Sequence, residues 1–325
     1  MSLIEKAVSK LTNVSSDAIA LPDAEARRAA QNPVDKRSTT IERLSELNGA
    51  NSAFGLSGSA NQAATARTNT PKPNRLDEMS KREGVRIHLE SLRARGFVTP
   101  DGNQTQISQE FRVIKRPLLA NAFGRGVSAV KNGKRIMVTS AFPGEGKSFC
   151  AINLAMSIAA ERDNKVLLVD ADVARPSIPK ELGITVEAGL MDWLIDGNLD
   201  ISQLVLSTNV DKLMILPAGR RHQQATELLA STSMSRLLEL ITARYPDRVV
   251  IFDSPPLLVT TESRVLSSYM GQVVLVVESG KTSHESVQEA LATIGSSEVV
   301  GLVLNKARAA EQGYYGGYGG YGYGV

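Results

Sequence analysis

The feature that most constrains the fold is an alternation of short apolar, β-branched runs with amphipathic stretches. Six runs are predicted to be strands: Arg135–Thr139, Lys165–Val169, Lys212–Leu216, Val249–Phe252, Val273–Val277 and Val299–Leu304. Helical spacing predicts helices at Ser148–Glu161, Thr226–Tyr245, Glu262–Ser268 and Ser283–Ile294. Continuous apolar strands are typical of a parallel sheet covered on both faces. The pattern therefore predicts a doubly wound, mainly parallel α/β domain with its ligands at the carboxyl ends of the strands.

This domain is predicted to span residues 107–306, between two segments of different composition. Residues 1–106 are predicted to be largely disordered or partly helical, because the stretch 32–74 is rich in Ser, Asn, Ala, Thr and Pro. Residues 307–325 are predicted to be a flexible tail, because from Gly313 onward every residue except Val325 is Gly or Tyr. This tail contains five of the seven tyrosines: Tyr314, Tyr315, Tyr318, Tyr321 and Tyr323.

Composition excludes several classes of protein. The formal net charge of +3 gives no indication of a nucleic-acid partner. Cys150 is the only cysteine, so an intramolecular disulfide and a cysteine-based zinc site are impossible. No run reaches the roughly 18 apolar residues of a membrane-spanning helix. We therefore expect a cytoplasmic chain whose contact with a membrane is peripheral or made through a partner.

A glycine-bearing turn between the first strand and the first helix of the domain has the pattern of a phosphate-binding loop. It includes Pro143, Gly144, Glu145, Gly146, Lys147, Ser148 and Phe149. In such loops successive backbone N–H groups and the start of the helix surround phosphates, while the lysine reaches the β- and γ-phosphates. The serine hydroxyl is a magnesium ligand. The pattern departs from the general one at Ala141, which stands where the first glycine is expected, and an ordinary turn with a helix-capping serine is the alternative.

Two acidic motifs follow predicted strands. The first is Asp170-Ala171-Asp172, followed by Arg175-Pro176, and the second is Asp253-Ser254-Pro255-Pro256. Carboxylates at the ends of parallel strands project into the crevice beside the loop. Mg²⁺ prefers such hard oxygen ligands and keeps several waters, so one or two carboxylates suffice. Each aspartate alone is compatible with a helix cap, but together they indicate a metal site.

These motifs resemble the bacterial tyrosine kinases that control exopolysaccharide synthesis. The segments EFRVIKRPLL (110–119) and ATELL (225–229) are similar to the subgroup found with exosortase systems. The resemblance covers about the last two thirds of the chain. It implies binding of ATP and Mg²⁺ and autophosphorylation of the tyrosine cluster by a neighbouring subunit. It also implies a membrane-embedded activator of the polysaccharide co-polymerase type at the inner membrane.

The same resemblance suggests roles for individual residues. Lys147 and Ser148 are expected to hold phosphate and Mg²⁺, and Asp253 to be a further Mg²⁺-linked carboxylate. Asp170 and Asp172 are the candidates for Mg²⁺ ligand and proton acceptor, and which of them is the base stays open. Family members often carry an arginine at the position of Ala174. Many also carry a Glu, Arg, Arg series on a helix that joins subunits into a ring, and here Gln109, Arg112 and Lys115 occupy those positions, with Glu110 one residue out of register.

Two other functions are compatible with the fold. A partitioning-type ATPase usually has a second lysine early in the loop, where this chain has Phe142. A nucleotide-gated scaffold without kinase activity has less need of three carboxylates. The tail has its own alternative, since Gly and Tyr also make sticky low-complexity segments. Phosphotyrosine formation separates these possibilities.

Overall fold

The computed structural model describes residues 84–102, 104–124, 130–294 and 299–307. Its strands are β1 (Arg135–Ser140), β2 (Lys165–Asp170), β3 (Leu206–Ser207), β4 (Leu213–Leu216), β5 (Arg248–Asp253), β6 (Gln272–Glu278) and β7 (Val299–Asn305). Its helices are α1 (Leu89–Ala94), α2 (Gln106–Phe123), α3 (Lys147–Ala159), α4 (Ile178–Leu182), α5 (Leu190–Ile195), α6 (Ile201–Leu204), α7 (Ala225–Leu229), α8 (Thr232–Arg244), α9 (Thr261–Ser267) and α10 (His284–Thr293). The predictions for the chain before residue 84 and for the tail tyrosines lie outside the described residues.

The seven described strands form one sheet in the order β3-β4-β2-β5-β1-β6-β7. All neighbouring pairs are parallel except β3 and β4. The chain crosses from β1 to β2 in one direction, and β6 and β7 lie on the other side of β1. The carboxyl ends of β1, β2, β4, β5, β6 and β7 therefore share one edge of the sheet, with the change of direction at β1, where such folds bind ligands.

The apolar residues of the strands face two separate cores. In β2, Val166 and Leu168 belong to one buried cluster, while Leu167 and Val169 belong to the other. Successive side chains of a strand point to opposite faces of the sheet. Because both faces are covered, the strands are apolar at every position. The predicted doubly wound, mainly parallel fold is confirmed.

The six predicted strands are all present. Their observed ends either match the predicted ends or differ from them by one residue. The predicted helix Thr226–Tyr245 is instead two helices, α7 and α8. Ser231 separates them because its backbone is extended (φ −79°, ψ 165°) and its hydroxyl donates to the carbonyl of Leu228 at 2.6 Å. The short antiparallel strand β3 is absent from the prediction, since two residues give no periodicity.

Residues 84–102 pack against the same sheet. Ile87 and Leu92 are buried in the core, and Val85 forms a bridge to Thr208. The ring of Phe97 lies 4.9 Å from that of Phe149, between centroids. The packed region thus begins before residue 107.

Helix α2 is attached to α3 through a buried lysine. The Lys115 ammonium lies 2.9 Å from Glu161 Oε1 and donates to the carbonyl of Ser157 at 2.6 Å. Of the three positions that resemble the ring-forming series, Gln109 and Arg112 are exposed, whereas Lys115 is buried within its own domain. The Lys115 ammonium is therefore engaged by groups of its own domain.

Among the helices of the described ranges, none has both the length and the apolar character needed to cross a membrane.

Replacing Lys115 with Met should lower the free energy of unfolding by about 1–3 kcal/mol, because the Ser157 carbonyl and the Glu161 carboxylate lose their partner. The adjacent Arg116 is exposed, so Arg116→Met is the matched control and should change stability by less than about 0.5 kcal/mol. Urea denaturation of both variants measures the difference. Equal midpoints for the two variants would contradict the assigned role of Lys115.

Candidate active site

The loop between β1 and α3 has a backbone that only glycine adopts easily. Gly144 and Gly146 have φ values of +87° and +100°, in the left-handed region. Helix α3 begins at Lys147, directly after Gly146. Ala141, which replaces the expected first glycine, is buried in the core. The loop therefore keeps the phosphate-binding conformation without that glycine.

The buried Glu145 side chain stabilises the loop through hydrogen bonds. Its side chain is buried and accepts the backbone N–H of Phe142 at 2.8 Å through Oε2. Its other oxygen accepts the hydroxyl of Thr282. The Glu145 carboxylate is directed into the protein, so only its backbone N–H is available for a phosphate.

The end of β7 supports the loop from the other side. The Asn305 amide donates to the carbonyl of Glu145 at 2.8 Å, and the Lys306 ammonium donates to the carbonyl of Gly144 at 2.7 Å. A Cβ atom on Gly146 would lie 2.0 Å from Asn305 Nδ2. Glycine is favoured at position 146 by its φ angle, and a larger residue would also displace the Asn305 amide. The Lys306 ammonium also lies 3.2 Å from Glu278 Oε2.

Three carboxylates lie at the neighbouring strand ends. Asp170 and Asp253 are direct register partners of β2 and β5, and both are completely buried. Asp172 lies just beyond β2, and its Oδ2 is 2.7 Å from the Lys147 ammonium. Both side chains of this ion pair are almost buried, at 11% and 5% exposure for Lys147 and Asp172. The loop lysine and the first acidic motif thus meet directly.

A pair of hydroxyls connects the loop to the acids. The Ser177 hydroxyl lies 2.8 Å from that of Ser148 and 3.5 Å from Asp253 Oδ2. The backbone N–H groups of Ser177 and Ile178 donate to Asp170 Oδ2, each at 3.0 Å. The remaining oxygens, Asp170 Oδ1 and Asp253 Oδ1, are buried and have no hydrogen-bond partner among the described residues. Such orphaned carboxylate oxygens indicate a missing cation or donor.

Burial and mutual repulsion change the acidity of this group. Burial, followed by the charge of Asp253, raises the pKa of Asp170 to about 7. Burial raises the pKa of Asp253 to about 6, against the lowering effect of Lys147. For Lys147 burial alone would lower the pKa, but the carboxylates of Asp253 and Asp172 outweigh it, and its pKa is raised. The lysine stays charged, and further positive charge beside the carboxyls would lower their pKa values.

The residues present fit a nucleotide and Mg²⁺. Lys147 is charged, the Ser148 hydroxyl contacts that of Ser177, and two buried carboxylate oxygens, Asp170 Oδ1 and Asp253 Oδ1, have no partner among the described residues. In the described residues no group of three or more His, Cys, Asp or Glu side chains is arranged to hold a metal. A magnesium site here would therefore use the Ser148 hydroxyl, Asp170 and Asp253 together with water and phosphate oxygens, which suits Mg²⁺.

The other predicted site residues are less central. Pro143 and Gly144 are exposed at the tip of the loop. The Phe149 ring packs against Phe97 in the core, so only its backbone can face a phosphate. Sequence reasoning missed Ser177, Asn305 and Lys306. Ser177 follows the Arg175-Pro176 pair and Lys306 follows a strand, but neither position has a local signal that points to the loop.

Comparison with known proteins finds tyrosine-protein kinases among the relatives of this chain. A sequence model for the AAA domain family matches residues 133–300. The tyrosine-protein kinase YwqD of Bacillus subtilis is 34% identical over 215 residues, which cover 64% of this chain and 86% of YwqD. The succinoglycan biosynthesis transport protein ExoP of Rhizobium meliloti is 34% identical over 186 residues, 55% of this chain but only 23% of ExoP.

The same result comes from solved structures. The VpsO kinase domain superimposes with a TM-score of 0.53 at 29% identity, over 62% of this chain and 96% of that domain. The chain belongs to the AAA domain family and, within it, to the bacterial tyrosine-protein kinases.

Proposed function

We propose that this chain is an ATP-dependent tyrosine autokinase that phosphorylates Tyr314, Tyr315, Tyr318, Tyr321 and Tyr323 of another copy, and so regulates exopolysaccharide synthesis or export. The observation that carries the proposal is the buried Lys147–Asp172 ion pair beside the unpartnered oxygens of Asp170 and Asp253. A helix cap needs neither the ion pair nor two buried carboxylates. A phosphate-binding crevice with a cation site needs both.

When bound, Mg·ATP supplies the phosphoryl group and the divalent charge that neutralises it. The chain's own residues position and balance it. The loop N–H groups and Lys147 hold phosphate oxygens, and Ser148, Asp170 and Asp253 offer oxygen ligands. Tyrosine has a reference pKa of about 10, so its proton needs an acceptor as the new bond forms. Asp170 and Asp172 are the two candidate acceptors.

The proposed acceptor is the Gly- and Tyr-rich sequence at the end of the chain. Its sequence follows Lys306, whose ammonium is bound at the carbonyl of Gly144. A Gly-rich segment of about thirteen residues has an r.m.s. span of roughly 20 Å. That span is sufficient for a tail to enter the crevice of a neighbouring copy. The exposed Gln109 and Arg112 on α2 are candidate contacts between copies in a ring.

The polysaccharide connection rests on relatives. ExoP is named as a succinoglycan biosynthesis transport protein, and this chain corresponds to only 23% of its length. We propose that this chain acts together with a partner in polysaccharide export. We expect this partner to be a membrane-embedded activator of the polysaccharide co-polymerase type, which holds the kinase on the cytoplasmic side of the inner membrane.

Incubation of the purified chain with Mg·ATP should place phosphate on the tail tyrosines, and Lys147→Met should abolish it. The loss should exceed about a hundredfold, because the charge that holds the phosphates is removed. Mass spectrometry of the tail measures the product. Lys180→Met, which changes an exposed lysine on α4, is the control and should keep full activity. Released phosphate without phosphotyrosine would instead support a partitioning-type ATPase, and neither product a nucleotide-gated scaffold.

Phosphorylation between copies predicts that Lys147→Met protein serves as an acceptor. Mixed with a donor whose five tail tyrosines are Phe, it should gain phosphate on its own tail. The donor has an intact crevice but no tail tyrosines. The Lys147→Met protein has the tail tyrosines but an inactive crevice, so only transfer between chains gives product. Mass spectrometry of the acceptor tail follows the transfer. A mixture without product, beside an active wild-type sample, would establish transfer within one chain.

The raised pKa of Asp170 predicts a pH-dependent stability of the ligand-free protein. The folded-state pKa of about 7 lies above the ordinary value of 3.8, so the folded state binds the proton more tightly and loses stability as pH rises. Relative to Asp170→Asn, the wild type should lose roughly 1 kcal/mol per pH unit between about pH 5 and pH 7. Urea denaturation at several pH values measures the difference. A constant difference between the two proteins across this range would contradict the buried, protonated carboxyl.

A further inference from the structure

A loop outside the phosphate site lies on the same edge of the sheet. β4 is the parallel neighbour of β2, and Leu216, its last residue, is the register partner of Val169. The chain after β4 therefore leaves the sheet beside the Asp170-Ala171-Asp172 motif. This loop carries two consecutive arginines, Arg220 and Arg221, both exposed.

One of these arginines is held in place by an almost buried carboxylate. Asp192 Oδ2 accepts the backbone N–H of Gly189 at 2.9 Å and that of Arg220 at 3.2 Å. Its Oδ1 lies 3.1 Å from Arg220 Nε. The Asp192 side chain is only 11% exposed, while that of Arg220 is 79% exposed. The carboxylate thus fixes the base of the guanidinium and leaves its outer face in solvent.

The backbone of the loop is shaped for this contact. Gly219 has a φ of +80°, and a Cβ atom there would lie 2.2 Å from Asp192 Oδ2. Arg220 is therefore preorganised, because Asp192 removes much of the rotamer freedom of a surface arginine. Arg221 has no ion pair or hydrogen bond among the described residues. The two neighbouring arginines differ in rigidity and are alike in charge.

We propose that Arg220 docks the tyrosine-rich tail of a second copy by stacking its guanidinium on a tyrosine ring; this inference rests on the proposed function. Residues 313–325 contain five tyrosines and no basic residue. A guanidinium held by one edge keeps its planar face free, and arginine binds aromatic rings through that face. The ring beside the reacting tyrosine would contact Arg220 while the reacting hydroxyl enters the crevice.

The position of Arg220 in the loop after β4 favours the acceptor tail over ATP as its ligand. β4 is separated from β1 by β2 and β5, so the strand ends that carry Arg220 and the phosphate loop are about 14 Å apart at the usual strand spacing. That distance suits a residue a few positions along an extended peptide. The docking loop also lies on the side of the acidic motif away from the phosphate loop, where an incoming peptide would pass.

The test is direct binding of a fluorescein-labelled peptide with the sequence GYYGGYGGYGYGV. The protein is the full chain with its five tail tyrosines changed to Ala, which removes competition from its own tail. Arg220→Ala should raise the Kd about three- to tenfold, as expected for one cation–π contact. Arg220→Lys should raise it about two- to fivefold, since the charge stays but the planar face is lost. Fluorescence anisotropy measures each Kd, and it does not require kinase activity.

Arg221→Ala is the matched control, because it removes the same charge from the same loop, and its Kd should stay within twofold. In assays of peptide phosphorylation, the Arg220 variants should have a higher KM for the peptide. Their kcat and their KM for ATP should be unchanged. A peptide with a C-terminal amide should bind as well as the acid, whereas a peptide with Tyr replaced by Ala should not bind.

Several results would overturn the proposal. The first is an equal Kd for Arg220→Ala and Arg221→Ala, and the second is no binding of the peptide to the parent protein. The third is peptide binding that depends more on the terminal carboxylate than on the tyrosine rings. The fourth is a change in KM for ATP alone. Peptide binding that depends on Arg220 without any phosphotyrosine product would support the docking site and refute the kinase proposal. The two proposals therefore fail separately.

Discussion

Two aspartates that end neighbouring parallel strands are register partners, and both are buried. Placing Asp170 and Asp253 side by side is costly, because burial and mutual repulsion both disfavour the charged forms. The rest of the crevice compensates for this arrangement. Two backbone N–H groups donate hydrogen bonds to Asp170 Oδ2, and Lys147 brings a positive charge. Two carboxylate oxygens have no partner within the described part of the chain, which supports the proposal that the site receives further positive charge.

The phosphate loop is held by groups that do not face the phosphates. Glu145 closes the loop from within, while Asn305 and Lys306 bind two of its carbonyls from β7. Each of these contacts joins parts of the chain that are distant in sequence, except the bond from Phe142 to Glu145. The loop is thus preorganised before a nucleotide arrives. Lys306, the residue before the proposed acceptor tail, binds the carbonyl of Gly144 in this loop.

The proposed docking site for the acceptor tail is the loop after β4, on the other side of the acidic motif from the phosphate loop. Lys147 and the acids are proposed to bind the phosphate and its metal ion, while Arg220, which contacts Asp192, follows β4, two strands beyond β5 in the sheet. A rigid scaffold with function in its strand-end loops is a general arrangement in α/β proteins. In this protein, the loops after β1, β2 and β5 are proposed for chemistry and the loop after β4 for recognition.

Much of the fold could be predicted from sequence because parallel strands buried on both faces are apolar at every position. Local patterns failed where tertiary contacts decide. The predicted helix through Ser231 is interrupted by a hydroxyl–carbonyl contact, and β3 is too short to have a period. Lys115 occupies one of the positions of the ring-forming series, and the sequence did not indicate that its ammonium is bound inside its own domain.

For the site, the sequence alone determined the chemical groups: a glycine-bearing loop with Lys147 and Ser148, and acids that follow two strands. The sheet order decided which groups meet, because it places β5 between β1 and β2 and so brings Asp253 beside Asp170. The ion pair of Lys147 with Asp172, the inward direction of Glu145 and the anchoring of Arg220 by Asp192 belong to the tertiary structure alone. Each depends on contacts between distant segments or on the direction of a side chain, and local sequence patterns specify neither.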